Sequence, residues 1–162
     1  MHRVPGHDDP IVRFVTQNKN SLYRFAYSYV LNCDDALDIV QDSIHKALTA
    51  EALRDDAAIK SWFYKIIVHT AIDFLRRQKK VTVADDSTLQ LHDANHYDHY
   101  KDIDLETALN HLPLEYRSVI VLRYFEDMKI GEVAKVLDLN TNTVKTRLYK
   151  GLELLRGKMA DI

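Results

Sequence analysis

The fold is decided by residues 129–156, which read KIGEVAKVLDLNTNTVKTRLYKGLELLR. Apolar residues recur at helical spacing on both sides of a short break at 138–140, so this stretch predicts two helices joined by a tight turn. Ala134 is small enough to let the two helices approach closely. The apolar residues that would hold their crossing are Ile130, Val133, Leu137, Leu139, Val144 and Leu148. This pattern is typical of a helix-turn-helix, which places its second helix in the major groove of DNA.

The second helix of this motif has a polar face that suits contact with DNA. Either Asn140 or Thr141 can cap its start, which leaves free backbone amides facing a phosphate. Its outward positions carry side chains that can hydrogen-bond base edges or phosphates, namely Asn142, Lys145, Thr146, Tyr149 and Lys150. The alternative interpretation is an ordinary helical hairpin with a solvated face.

The composition of the whole chain supports an all-α protein. Its 162 residues include only 4 Gly and 3 Pro, too few for the many turns of an all-β fold. The single cysteine, Cys33, excludes an internal disulfide and a cysteine-based metal site. The polar N-terminus and the lack of an apolar run of about 20 residues predict a cytoplasmic protein with no signal peptide.

Helical periodicity divides the chain into two small domains and a linker. In the first domain, residues 1–80, helices are predicted over 11–31, 35–48 and from Ser61 to about 80, with a polar loop at 49–60. Asn32, Cys33 and Asp34 offer caps for the second of these helices. In the second domain, residues 104–162, helices at 104–112 and 114–124 precede the helix-turn-helix. Residues 81–103 lack periodicity and are predicted to form a flexible acidic linker.

Charge is distributed unevenly, although the net formal charge is only −2. Residues 60–80 and 129–158 are basic, and residues 81–110 between them are acidic. A basic block is usually a solvated helix face. Two such blocks in two separate helical units favour contact with a polyanion.

Histidines and aspartates in the linker raise the possibility of a metal site. The cluster comprises His92, Asp93, His96, Asp98 and His99. These histidines would align only in a helix, and the stretch is a poor helix former, so a solvated linker without metal or cofactor is predicted. A hydrolase is also disfavoured, because no nucleophile lies in a recognisable setting and no glycine loop could hold a phosphate.

Three features of the first domain suit a protein that holds unpaired nucleic acid. Asp35, Asp38 and Asp42 form an acidic stripe on one helix face. Trp62 and Tyr64 flank the start of the next helix, which ends in a basic run. Unstacked bases need aromatic surfaces and their phosphates need cations, and this helix supplies both.

Three blocks of the chain together resemble the extracytoplasmic-function (group 4) sigma factors of bacterial RNA polymerase. The blocks are DALDIVQD at 35–42, WFYKI at 62–66 leading to Asp73 and Arg76, and TVKTRL at 143–148. The resemblance covers nearly the whole chain in the family's order. The stretches SWFYKI and NTNTVKTRLY look most similar to the sigma-V type of Gram-positive bacteria. The chain departs from the family at His69, which is often Asn, and at Asn142, which is often Gly.

The resemblance implies three sets of site residues. The set that would dock on the β′ clamp helices of core polymerase is Asp35, Asp38, Gln41 and Asp42. The set that would bind and melt the −10 element is Trp62, Tyr64, Lys65, His69, Asp73, Arg76, Arg77, Lys79 and Lys80. The set that would read the −35 element is Thr141, Asn142, Thr143, Lys145, Thr146, Arg147, Tyr149 and Lys150.

The resemblance also implies the partners. They are core RNA polymerase, through its β′ clamp helices and β flap, promoter DNA, and an anti-sigma factor that is often anchored in the membrane. No catalysis and no small-molecule substrate are implied. The remaining alternative is a free-standing helix-turn-helix transcriptional regulator that binds duplex DNA alone.

Overall fold

A computed structural model describes residues 9–50, 56–84 and 100–160, and within them it is helical with no strand. The all-α prediction is therefore confirmed. In chain order the elements are α1 Pro10–Gln17, α2 Lys19–Val30, α3 Cys33–Thr49, α4 Asp56–Ala84, α5 Tyr100–Asn110, α6 Leu114–Ile120, a π-helical turn Val121–Phe125, α7 Ile130–Leu137 and α8 Thr141–Ala160.

Side-chain caps decide where the first helices begin. Asp9 accepts a hydrogen bond from the backbone of Ile11 at the start of α1, and Asn32 accepts one from Asp35 at the start of α3. The helix predicted over 11–31 is interrupted at Asn18, whose side chain bonds back to the carbonyl of Phe14. Because an asparagine amide competes for backbone groups in this way, the stretch becomes two helices.

The third predicted helix, α4, is longer than the sequence pattern indicated. It begins at Asp56 and ends at Ala84, so Ser61 lies inside it and is not its cap. The prediction of a loop through Lys60 was wrong, because Ile59 is buried and continues the apolar side of α4. Residues 51–55 of that loop, and the His and Asp cluster of the linker, lie outside the described residues. Helix also extends into the predicted linker at 81–84 and 100–103, and the domain limits remain predictions.

The C-terminal unit contains the predicted helix-turn-helix. Asn140 caps α8 by accepting a hydrogen bond from the backbone of Thr143 at 2.7 Å. Val133, Ala134 and Val144 are buried, as the apolar pattern predicted, and Val136, which the pattern did not single out, is buried as well. The helix predicted over 114–124 changes to π-helical geometry at Val121, and π-helical turns of this kind are often associated with function.

The two helical units pack against each other. One continuous hydrophobic cluster contains Phe25 and Tyr64 from the first unit together with Val119 and Met128 from the second. Helix α7 lies along α4, and α6 approaches α2. In the part of the chain that the structure describes, no helix has both the length and the hydropathy of a membrane span.

Candidate polymerase and nucleic-acid interfaces

The outer face of α3 carries the candidate polymerase-binding side chains. Asp38, Gln41 and Asp42 are exposed, whereas Asp35 is half-buried near the helix start. The opposite face of α3 is buried through Ala36, Ile39, Ser43 and Ala47. Burial of that face fixes the orientation of the helix and therefore directs the carboxylates outward. The structure thus brings all four predicted residues to one side of the first unit.

A shallow groove separates the acidic face of α3 from α4. Asp38 and Asp42 line one wall, and Phe74 and Arg77 line the other. The groove therefore combines carboxylates, an aromatic ring and a guanidinium. These are groups that suit a charged helical partner better than a small apolar ligand.

The basic end of α4 is open to solvent. Arg76, Arg77, Lys79 and Lys80 are all exposed. Arg76 approaches Asp73 at only 3.9 Å, and both side chains are well exposed, so this pair does little to neutralise the run. Four exposed cations on successive turns are available to phosphates.

The aromatic residues at the start of α4 are less accessible than the resemblance implied. Trp62 is half-buried, whereas Phe63 and Tyr64 are fully buried. The rings of Phe25 and Tyr64 are 5.0 Å apart, and those of Phe14 and Phe63 are 5.7 Å apart. In this arrangement Tyr64 does not face solvent.

Lys65 and His69, one turn further along α4, face the turn of the helix-turn-helix. Asp138 lies in that turn with a φ of 55°, and one of its carboxylate oxygens is 2.7 Å from Nζ of Lys65. The other oxygen is 3.3 Å from Nε2 of His69. Hydrogen bonding to Lys65, followed by the bond to His69, lowers the pKa of Asp138. The structure therefore pairs two of the predicted −10 residues with the second unit.

The first turns of α8 present an open polar face. Thr141, Asn142, Lys145, Thr146 and Tyr149 are exposed, and Tyr149 retains 76% of its accessible surface. The hydroxyl of Thr146 donates a 2.9 Å hydrogen bond to the carbonyl of Asn142, one turn earlier in the helix. An exposed tyrosine and lysine two turns into a capped helix suit contact with bases and phosphates.

The three other predicted residues of α8 have contacts within their own unit, although Lys150 remains exposed. Thr143 is half-buried and supplies the capped amide. Arg147 approaches Glu115 at 3.9 Å, and Nζ of Lys150 lies 5.8 Å from the ring centre of Tyr116. The stronger DNA-reading candidates are therefore the exposed residues of α8, namely Thr141, Asn142, Lys145, Thr146, Tyr149 and Lys150.

Two charged residues that sequence reasoning missed lie between the units. Arg117 is 7% exposed, and its guanidinium donates to the carbonyls of Ser28, Asn110 and Leu112. Glu126 is 5% exposed and accepts a hydrogen bond from Tyr64. Burial raises the pKa of Glu126, and both residues line the cleft that also contains Cys33. The burial of Arg117 could have been suspected from the sequence, because Arg117 is the one cation in the apolar run at 117–122. No sequence feature indicated that Glu126 is buried.

Two family matches cover most of the chain. Residues 14–81 match Sigma-70 region 2, and residues 102–155 match Sigma-70, region 4. The chain is 56% identical over 147 residues to the RNA polymerase sigma factor SigV of Bacillus subtilis (strain 168), covering 90% of this chain and 89% of that protein. The chain belongs to the extracytoplasmic-function sigma factors. This sigma factor is also 25% identical to SigW of the same organism, over 97% of this chain and 92% of that one.

Solved structures share the fold of this sigma factor. The sigma factor RpoE, crystallised with the anti-sigma factor NepR from Bartonella quintana, superposes with a TM-score of 0.75 at 21% identity, covering 91% of this chain and 95% of that one. CnrH, in complex with the cytosolic domain of CnrY, superposes with a TM-score of 0.68 at 21% identity, covering 93% and 88%. The match to region 2 favours a sigma factor over the free-standing regulator considered from the sequence.

Proposed function

We propose that this sigma factor binds core RNA polymerase, directs it to promoters through two DNA-binding surfaces, and is held inactive by an anti-sigma factor. It supplies promoter recognition, and the polymerase supplies catalysis. The observation that carries the proposal is the open polar face of α8, where Lys145 and Tyr149 are exposed while Val144 and Leu155 on the other side are buried. A helix capped and oriented in this way is ready to enter a major groove.

The acidic face of α3 is assigned to the β′ clamp helices. Asp38 and Asp42 are exposed on one side of the helix, with Gln41 beside them and Asp35 at its start. Opposite charge across an interface steers association and selects the partner, which gives these carboxylates a physical role. The β flap is assigned to the C-terminal unit.

The −10 element is assigned to α4 and the −35 element to α8. Arg76, Arg77, Lys79 and Lys80 are exposed and would contact phosphates. Trp62, near the start of the same helix, is half-buried and offers an aromatic surface to an unstacked base. On α8, Asn142 and Lys145 would contact the duplex.

The fold relatives support an anti-sigma partner, because RpoE was solved with the anti-sigma factor NepR and CnrH was solved with the cytosolic domain of CnrY. Anchoring of that partner in the membrane, and the cytoplasmic location of this chain, belong to the same proposal. In this proposal the chain binds promoter DNA in the cytoplasm after a signal releases it from the anti-sigma factor.

Reconstitution tests the function directly. The full chain is added to core polymerase and a library of promoter fragments, and run-off transcripts are measured. Transcription that depends on both the chain and particular promoters is expected. Duplex binding by the chain alone, with no binding to core polymerase, would instead support a free-standing regulator.

A further inference from the structure

The contact between the two units covers part of the surface that is assigned to −10 DNA, and the inference below rests on that proposed assignment. Tyr64 is 1% exposed, and Lys65 and His69 are paired with Asp138. All three lie on the first half of α4, which packs against α7. While the C-terminal unit stays in place, Glu126 holds the hydroxyl of Tyr64, and Asp138 holds Lys65 and His69.

Acidic residues of the C-terminal unit contact side chains of the surface that is assigned to −10 DNA. Asp138 contacts Lys65 through one oxygen and His69 through the other. Glu126 accepts from the hydroxyl of Tyr64 at 2.6 Å, and its backbone carbonyl accepts from Nζ of Lys60 at 2.9 Å. Because an acidic group and a phosphate compete for the same cations, this contact and DNA binding exclude each other.

The contact holds its buried charges in an unfavourable setting. Oε1 of Glu126 is buried and has no hydrogen-bond partner among the described residues. The unpaired Oε1 opposes closure, whereas the hydrogen bond from Tyr64 to Oε2 of the same carboxylate and the burial of Met128 favour it. Opposing contributions of this kind produce a contact that can open without unfolding either unit.

We propose that Glu126 and Asp138 form an acidic latch that closes the C-terminal unit over Tyr64, Lys65 and His69, so that the units must separate before α4 can engage DNA. The latch is built into the chain and acts without any partner. A partner that binds the closed form would strengthen it, and promoter DNA or core polymerase would compete with it.

Cys33 provides a direct measure of closure. It is the only cysteine of the chain, and it lines a cleft between the units together with Leu105, Leu109 and Phe125. Separation of the units uncovers its thiol. The rate at which the full chain reacts with a small neutral maleimide therefore reports how often the latch opens.

The test compares two substitutions of the same kind. Asp138→Lys replaces attraction to Lys65 with repulsion. Asp127→Lys makes the same charge change at an exposed position before α7 that is not part of the latch. The φ angles are 55° at Asp138 and 54° at Asp127, so both lysines carry the same backbone strain. Asp138→Lys should raise the Cys33 rate about 5-fold relative to Asp127→Lys, as expected for reversing one partly exposed ion pair.

A charge exchange adds a rescue experiment. Lys65→Glu combined with Asp138→Lys restores an ion pair of reversed polarity, and the Cys33 rate should return toward that of the unsubstituted chain. Circular dichroism must show the same helical content in every variant. Equal Cys33 rates in Asp138→Lys and Asp127→Lys, or no rescue in the double variant, overturn the latch.

A separate experiment measures whether the closed contact masks the DNA-binding surface of α4. Binding of a fluorescein-labelled single-stranded oligonucleotide by the full chain should be several-fold tighter in Asp138→Lys than in Asp127→Lys, which has the same net charge. Equal affinities together with unequal Cys33 rates would overturn the masking role. Failure of all forms to support transcription with core polymerase would reject the proposed function, and the thiol rates would still decide whether the latch exists.

Discussion

The hydroxyl of Tyr64 donates a 2.6 Å hydrogen bond to Oε2 of Glu126, although 62 residues separate them in sequence. Burial raises the pKa of both groups, and their hydrogen bond raises that of Tyr64 further. A neutral phenol therefore faces a buried carboxylate at the centre of the contact between the units. The behaviour of this pair should govern how the two units associate.

The pH dependence of stability should report the ionisation of Glu126. The groups that face it are Tyr64 and Lys60 on α4 and Arg24 on α2. Because its folded-state pKa is raised, its stabilising contribution is fully present below the unfolded pKa of about 4.3 and is lost as the pH rises through the folded value. Glu126→Gln should remove this loss, so the variant gains stability relative to the unsubstituted chain between acidic and neutral pH.

Urea unfolding of both forms at several pH values tests this. Asp138 acts in the opposite direction, because its lowered pKa gives a contribution that disappears as the pH falls through its folded value. Asp138 is present in both forms, so its contribution cancels in their difference. A difference that stays constant with pH would contradict the role given to Glu126.

Loss of the buried guanidinium should destabilise the whole chain. Arg117→Met keeps an unbranched apolar stem but leaves the carbonyls of Ser28, Asn110 and Leu112 without their donor. A decrease of about 2–4 kcal/mol in the free energy of unfolding is expected. Arg123→Met is the control, because its hydrogen bond to Met128 is 3.4 Å long and only part-buried. Equal losses in the two variants would count against the prediction.

Replacing two glycines of α8 with alanine should change the stability of the chain in opposite directions. A Cβ at Gly151 would lie 3.1 Å from Cβ of Tyr116 and 3.1 Å from Cδ1 of Ile120, whereas one at Gly157 meets nothing within 4 Å. Gly157→Ala should stabilise by up to about 1 kcal/mol through helix propensity. Gly151→Ala should destabilise by about 1 kcal/mol, since the crowding outweighs the propensity gain. Thermal unfolding checks both signs.

Charge reversal on α3 should weaken polymerase binding. Asp38→Lys with Asp42→Lys removes the carboxylates and adds repulsion toward Arg77 across the groove. Affinity for core polymerase should fall by at least about 10-fold, as expected when steering charges are reversed. Asp104→Lys combined with Glu153→Lys, at exposed sites on α5 and α8, is the charge-matched control. Native helical content is required of each variant, and unchanged affinity in the double variant would refute the assignment of this face.

Salt dependence should locate the phosphate contacts of α8. Lys145→Gln should weaken duplex binding and reduce the slope of log affinity against log salt by about 1. Lys158→Gln, at the far end of α8, should leave the slope unchanged. Titrations of the full chain with duplex DNA at several salt concentrations measure both. An unaltered slope in Lys145→Gln would place the phosphate contact elsewhere.

Local sequence was sufficient for features that depend on residues near one another in the chain. Asn32 and Asn140 cap helices as proposed, because a cap needs only an amide within three residues. Ala134 is buried at the helix crossing, and the polar face of α8 is exposed. The start of α4 was missed because Asp56 and Ala57 resemble a polar loop until Ile59 is buried against the rest of the unit.

The amino-acid sequence by itself determined most of the helices, the helix-turn-helix, and the polar faces of α3, the end of α4 and α8, since each follows from spacing within one or two elements. Only the tertiary structure decided that Tyr64 is buried and that Arg117 bonds to the carbonyl of Ser28 across 89 residues. Such contacts depend on which faces of two separate units meet. Periodicity orients a helix toward its own core, and it carries no information about the unit that packs on the other side.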